Sequence, residues 1–162
     1  MSADTAVEWD LIYRPRRMPR IAIAAAAVVL AIHIVFAALL TISDTGVNIG
    51  GSDQLGLALI GVVEAAAILL FTQPRLRVGP SGVAVRNLVG ERLFGWDRVR
   101  GMTYPDKGFS ARLLLPDDEH VPVLAVQAAD ADRAVSAMNS FRELAERYGS
   151  DSGGEMGPVE QS

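Results

Sequence analysis

Hydrophobic and polar positions along this chain fall into three regimes. First come two long apolar runs. From Ile21 to Ile42 no Asp, Glu, Lys or Arg occurs; these about 22 residues are close to the ~20 that a helix needs to cross the hydrocarbon core of a bilayer. Leu55 to Thr72 adds about 18 mostly apolar residues, roughly 27 Å of helix at 1.5 Å per residue. Between them, Ser43 to Gln54 contains Gly46, Gly50 and Gly51 and reads as a turn. Ala22/Ala26, Ala27/Ala31 and Gly61/Ala65 are spaced four apart, where small side chains let two helices approach closely. The pattern predicts a transmembrane hairpin over residues 21–73, with spans at about 21–42 and 55–72.

The second regime starts at Pro74, where long runs give way to short alternating segments, as consecutive antiparallel strands require. Strands are expected near Leu76–Val78, Val83–Val89, Arg92–Trp96, Val99–Tyr104, Ser110–Leu115 and Val121–Val126. Turn signals separate them at Gly79–Gly82, Gly90–Glu91, Pro105–Gly108 and Pro116–Glu119. Phe109, Ala111, Leu113 and Leu115 alternate onto one face, as do Val121, Val123 and Ala125. Last comes a helix, with Asp130 as N-cap, Asp132 in its first turn, Arg147 in its last and Gly149 as its stop. Its stripe of Ala134, Met138, Phe141, Ala145 and Tyr148 must be buried against the sheet. The folded segment is thus 74–148, and 149–162, Gly-rich and acidic, is expected to be a disordered tail.

Charge sets the orientation. The net value of −4 over 162 residues conceals a segregation along the chain. Arg14, Arg16, Arg17 and Arg20 precede the first span and Arg75 and Arg77 follow the second, whereas the connecting loop holds Asp44 and Asp53 and no basic residue. Positive residues stay on the cytoplasmic side, so both termini and the folded segment are expected in the cytoplasm, with the chain multi-pass in the inner (plasma) membrane. Residues 1–20 then form a cytoplasmic juxtamembrane segment in which Pro15 and Pro19 oppose a continuous helix. It reads either as a solvated tail or, through Trp9, Leu11, Ile12 and Tyr13, as a segment at headgroup level. The first apolar run exceeds the 7–15 residues of a signal-peptide h-region, and no A-x-A-like site followed by a soluble chain comes after it, so a retained anchor is favoured.

Candidate chemistry is sparse. Cys is absent, which excludes disulfides, thiolate metal sites and a cysteine nucleophile. His33 and Glu64 lie near the middle of the two spans, where ionisable groups are by default functional candidates. An antiparallel hairpin brings them to similar depth, for packing by hydrogen bonding across the helices or in an oligomer, or else for a proton or ion pathway that would itself need an oligomer. No catalytic, cofactor or metal site is expected: no His pair stands in the cytoplasmic part, no nucleophile motif or phosphate loop occurs, and Asp117, Asp118 and Glu119 are explained by a hairpin turn. Local balancing of the arginines by acids argues against nucleic acid. Arg14, Arg16, Arg17, Arg20, Arg75 and Arg77 are candidate lipid-facing residues, read first as topological determinants with nonspecific attraction for anionic lipid. Trp96 reads as a packing residue rather than a ligand platform.

GPSGVAVRNLVGERLFGWDRVRGMTY (Gly79–Tyr104), ARLLLPDDEHVPVLAVQ (Ala111–Gln127) and the helix start at Asp130 together resemble the small bacterial pleckstrin-homology (PH)-like domains of actinobacterial two-helix membrane proteins. The YRPRR start at Tyr13–Arg17 also resembles members of that group. The resemblance implies an α+β chain: a two-helix transmembrane hairpin, then a strongly bent antiparallel PH-like sheet or barrel closed by a C-terminal α-helix. The strands above are one short of a full PH barrel, which leaves an incomplete barrel or an additional strand. Phosphoinositide-binding members of the wider superfamily use a basic loop between the first two strands; the loop equated with it, Gly79–Gly82, holds no Lys or Arg. The leading expectation is a non-enzymatic, membrane-anchored module that presents a strand edge or groove to another protein. Recognition of anionic lipid at the inner leaflet, or a place in an oligomeric transport or enzyme complex using Glu64, are the alternatives, with homo-oligomerisation through the helices compatible with each.

Overall fold

The computed structural model describes residues 8–40 and 51–150. Two compact units result, 16–40 with 51–73, and 8–15 with 74–150.

In the first unit, α1 (Arg17–Leu39) and α2 (Gly51–Leu69), the latter extended by a 3-10 turn at Leu70–Thr72, pack as an antiparallel pair. Both are long and apolar enough to cross a membrane. Pro19 is accommodated in the first turn of α1, where its missing N–H has no intrahelical acceptor to lose. The helix therefore starts four residues before the uncharged run. Ala22 and Ala26 of α1 and Gly61 and Ala65 of α2 are buried, while Ile21, Val28, Ile32, Phe36, Leu59 and Val63 are exposed. At Gly61 only hydrogen fits: a Cβ there would lie 2.5 Å from His33 Cβ. The other expected small pair, Ala27/Ala31, is exposed; one residue is about 100° of helical rotation, so Ala27 leaves the face that Ala26 holds. Gly51–Gln54, expected in the connecting turn, are helical, and the rest of that turn at 41–50 lies outside the described residues.

The second unit is built from seven strands and one helix. β1 (Leu11–Tyr13), β2 (Arg75–Gly79), β3 (Gly82–Arg86) and β4 (Glu91–Phe94) form sheet A in that order, all antiparallel. β5 (Gly101–Thr103), β6 (Ser110–Leu114) and β7 (His120–Gln127) form sheet B. Gly95 and a 3-10 turn at Trp96–Arg98 stand between β4 and β5, which do not pair, so the two sheets are not closed into a barrel. α3 (Asp132–Gly149) covers the inner faces. Leu76, Val78, Val83, Val85 and Phe94 of sheet A meet Ala111, Leu113, Val123 and Ala125 of sheet B and Ala134, Ala137, Phe141 and Leu144 of α3. Alternation puts every second strand residue into this core.

β1 is the additional strand, and it alters the organisation. Residues 8–15, assigned from the sequence to a juxtamembrane segment, belong to the β unit: Tyr13 is buried opposite Leu76, and Leu11 opposite Val78. The helical pair is therefore an insertion between the first two strands. Three residues are too few for alternation to declare a strand, and the partner strand lies some sixty positions away.

Local differences have equally local causes. Phe109 is exposed because β6 begins at Ser110, where an irregular register against β7 buries Ser110 and Ala111 in succession. Asp130 is not the N-cap; it is buried in a 3-10 turn at Ala128–Asp130, and Ala131, with φ of 42°, precedes α3 without a capping side chain. Gly149 is the last helical residue, not the stop beyond it. The expected tail at 151–162 lies outside the described residues. Two turns are dictated by backbone geometry. Gly82 has φ of 126° and packs against the Phe94 carbonyl, leaving no room for a side chain. Asp117 and Asp118 both have φ of 58°, the left-handed pair of a type I′ hairpin, which Asp tolerates better than most residues.

Candidate functional site

The sequence-nominated pair is brought together within the helical unit. His33 Nδ1 lies 2.9 Å from the Val29 carbonyl oxygen. A carbonyl only accepts, so Nδ1 carries a hydrogen and neutral His33 presents a bare Nε2. Glu64 Oε2 is 3.6 Å from that nitrogen, beyond hydrogen-bond length but within ion-pair reach. One proton placed on the carboxyl or on Nε2 gives either a neutral pair or an ion pair. Exposure divides the partners: the His33 side chain is 19% exposed and that of Glu64 is 53% exposed. Glu64 thus lies toward the outer, apolar surface of α2.

The six nominated arginines serve different positions. Arg16 precedes α1, and Arg17 and Arg20 stand in its first turns, where the helix dipole disfavours cations; helix stability is therefore not the reason for them. Arg14 is exposed ahead of them. Arg75 and Arg77 project from one face of β2 onto Glu91 of β4: Arg75 Nη2 donates to Oε2 at 2.9 Å and Arg77 Nε to Oε1 at 2.9 Å, with Arg77 Nη2 also on Oε1. Burial pushes the Glu91 carboxyl up, but hydrogen bonds from Arg77 and Arg75, and their charges, outweigh it and hold the group below its usual 4.5. Arg77 also lies 4.6 Å over the Trp9 ring. At the far end of the N-terminal segment, Tyr148 Oη donates to Asp10 at 2.8 Å. That bond to a carboxylate favours the neutral phenol and raises its pKa.

β1 also changes which loop is which. Gly79–Gly82 joins β2 to β3, so it is not the loop between the first two strands. That connection is the helical pair itself, flanked by the arginines before α1 and by Arg75. Trp96 is buried: its Nε1–H donates to the Gly79 carbonyl at 3.0 Å, and its ring packs 6.2 Å from Phe141 and 6.1 Å from Tyr148. It is a core residue of the β unit, not a ligand platform.

Of the concavities on the sheet B side, two share Arg100. The first, about 280 Å³, runs between edge strand β5 and α3, with Met102, Met138, Phe141 and Ala145 as apolar lining and Arg100, Arg142 and Glu146 as charged lining. Among the described residues β5 pairs only with β6, so no described strand occupies its other edge. The second, about 480 Å³, is bounded by Arg100, Arg112, His120 and the Asp117–Glu119 turn. Among the described residues no group of three His, Asp or Glu side chains is placed to hold a metal ion. Sequence reasoning did not single out Met102 or Asn87. Methionine at a strand edge carries no distinctive signal, whereas Asn87, an amide after an alternating apolar strand, is a polar interruption that foreshadowed its role. Its Oδ1 accepts from Leu124 N–H at 3.1 Å and its Nδ2 donates to the Pro122 carbonyl at 2.8 Å, tying the β3–β4 turn to β7.

With this geometry in view, comparison with known proteins is direct. The family model described as bacterial PH domain matches residues 73–144. Proteins of Mycobacterium bovis and of two strains of Mycobacterium tuberculosis are each 44% identical over 144 residues, covering 89% of this chain and 94% of theirs. The chain belongs to the bacterial PH domain family. These mycobacterial relatives are uncharacterized. No solved structure matches the chain significantly. The family match starts after the helical pair, so β1 of this PH-domain protein lies outside it and is assigned by its pairing with β2.

Proposed function

We propose that this PH-domain protein is a non-enzymatic adaptor, anchored in the inner membrane by α1 and α2, which binds an extended segment of another protein in the groove between β5 and α3. The carrying observation is that groove. An unpaired strand edge supplies backbone hydrogen bonds to an added strand, while Met102, Met138 and Ala145 supply an apolar lining and Arg100, Arg142 and Glu146 a charged rim. Methionines suit such a surface because their flexible thioethers adapt to different side chains. Anchoring is supported by the inversion of the helical pair, whose small residues are inside and large apolar residues outside. The arginines at the dipole-disfavoured end of α1 support an orientation with the β unit and both termini in the cytoplasm.

A photo-crosslinking residue at Met102, in the full chain in native membranes, is expected to yield a discrete protein adduct that one at Ser81 does not, and Ala145→Arg should abolish it. Equal adducts from both positions would remove the groove from the proposal. Reporter fusions at the C-terminus should read cytoplasmic and one inserted near Gly50 external; an external C-terminus overturns the orientation. The reading in which Glu64 serves a transport or enzyme complex rests on its approach to His33. Glu64→Gln keeps the shape and the hydrogen bonding, so normal insertion with lost activity in complementation would favour that reading over the adaptor.

A further inference from the structure

Glu64 is only half covered by its own chain. At 1.5 Å per residue it lies about 20 Å along the helix from Gly51 and about 12 Å from Thr72, too deep for a short carboxyl side chain to reach either end. Its Oε2 stands 3.6 Å from His33 Nε2, its side chain is 53% exposed, and among the described residues it makes no hydrogen bond. In the anchored reading proposed above that exposed surface faces lipid, whereas ionisable groups inside a membrane turn toward a bundle interior or pair with one another. Two helices have no interior beyond the seam they form, and His33 already packs against Gly61 there.

A second observation lies on the same side of α2. Glycine inside a helix costs stability relative to alanine. Gly61 is explained by His33, which leaves no room for a Cβ, but Gly56 is not: among the described residues no atom stands within 4 Å of the place a Cβ would take. At 100° per residue Gly56, Ile60 and Ala67 all fall within about 80° of Glu64, on the side turned away from the buried Gly61 and Ala65. Ile60 and Ala67 are exposed and Gly56 half-buried. Small residues at 56 and 67 thus let another helix come close on the flank that carries the carboxyl.

We infer that this flank of α2 is a contact between two copies of the chain, with Glu64 of one copy against Glu64 of the other. The inference rests on the anchored reading proposed above but not on the β5–α3 groove. Two copies inserted the same way in one bilayer are related by a two-fold axis along its normal, which sets a residue opposite itself at equal depth. A protonated carboxyl has one O–H to donate and oxygen lone pairs to accept, so two such groups complete each other without any further residue. An unlike partner helix would need a polar side chain at the matching depth; a second copy has one there by symmetry. In each copy His33 stands behind the carboxyl, so the four groups form one polar row across a contact otherwise made by Gly56, Ile60 and Ala67.

Because the chain has no Cys, single cysteines can be placed in the full-length protein and oxidised in native membranes. Ile60→Cys and Ala67→Cys should each give a disulfide-linked dimer. Val62→Cys, exposed on the opposite side of α2, should not, since a disulfide needs Cα atoms within about 7 Å. In the Ala67→Cys chain Glu64→Gln, which still donates and accepts, should keep the dimer, and Glu64→Leu should reduce it roughly tenfold, the worth of about two interhelical hydrogen bonds. Leucine adds apolar surface, so insertion is unharmed, which alkaline carbonate extraction checks for each variant. Equal linking at 60, 62 and 67, or linking at none of them in a chain that resists carbonate, overturns the contact between copies alone. Linking undiminished by Glu64→Leu overturns the role given to Glu64. A photo-crosslinker at 67 that captures only a different protein gives the flank to another helix and overturns the second copy. Release of the unmodified chain by carbonate overturns the anchored reading and this inference with it.

Discussion

The helical pair and the β unit invert one another. In α1 and α2 the buried positions are Ala22, Ala26, Gly61 and Ala65, and the large aliphatic side chains point out. In the β unit Leu76, Val78, Leu113, Val123 and Phe141 are inside. Water drives apolar surface inward in the β unit. In the membrane-anchored arrangement proposed above, that force is missing between the helices, and close van der Waals approach of small residues takes its place. Polar groups follow the same division: Asn87 and Trp96 find backbone partners in the β unit, whereas in the helices His33 and Glu64, the ionisable groups away from the helix ends, are set against one another.

The strongest test of this contrast removes β1. Without residues 8–15 the segment 74–150 loses the buried Tyr13 and partly buried Leu11 from its core, roughly 1.5–3 kcal/mol for each large side chain against a typical total of about 5–15 kcal/mol. The isolated segment should unfold without cooperativity in urea, and a chain joining residues 8–15 to 74–150 through a short linker should restore a sigmoidal transition. Equal cooperativity in both would make β1 dispensable. Next in size is Phe141→Ala in that joined chain: Phe141 is 3% exposed against Trp96, and its truncation should cost roughly 3–5 kcal/mol in the urea midpoint analysis. A cost under 1 kcal/mol would show that α3 does not close the core.

On the helical side the analogous substitution has the opposite sense, because adding atoms is what harms. Gly61→Val should destabilise the pair in detergent by about 1–3 kcal/mol through overpacking, since even a Cβ meets His33. Val63→Ala, at an exposed position, should leave it almost unchanged; the reverse order would refute the small-residue interface. The smallest effect concerns Glu91. Its folded pKa lies below the ordinary 4.5, so its contribution is present above pH 4.5 and disappears as pH falls through the depressed value. Being partly exposed, the cluster is worth about 1 kcal/mol or less. Glu91→Gln should flatten the acid limb of a stability-versus-pH curve by that amount and leave the curve's shape near neutrality unchanged.

Both long apolar helices, six of the seven described strands, the C-terminal helix and the PH-like character were legible in the sequence because each rests on a repeated local period or on spaced turn residues. The same is true of the approach of His33 to Glu64, which follows from depth in an antiparallel pair. What escaped were single residues and short elements whose state depends on a distant partner. The β5–α3 groove joins Met102 to Met138 and Ala145 across strands and helix that no periodicity links. Asp130 has ideal chemistry for a cap, yet Ala131 takes the cap position with φ of 42° and Asp130 is buried one residue before it, at the end of the 3-10 turn.

Local pattern, then, determined by itself the two long helices, the alternating faces of the sheets and the amphipathic stripe of α3, since each follows from side-chain order and backbone geometry within a few residues. Tertiary structure alone decided that Leu11–Tyr13 is a strand, that the helical pair interrupts the PH-like unit after that strand, and that Gly79–Gly82 is its second turn and not its first. The physical reason is that three residues of extended chain gain stability only from the neighbour they pair with, and for Tyr13 that neighbour, Leu76, lies on the far side of the helical pair.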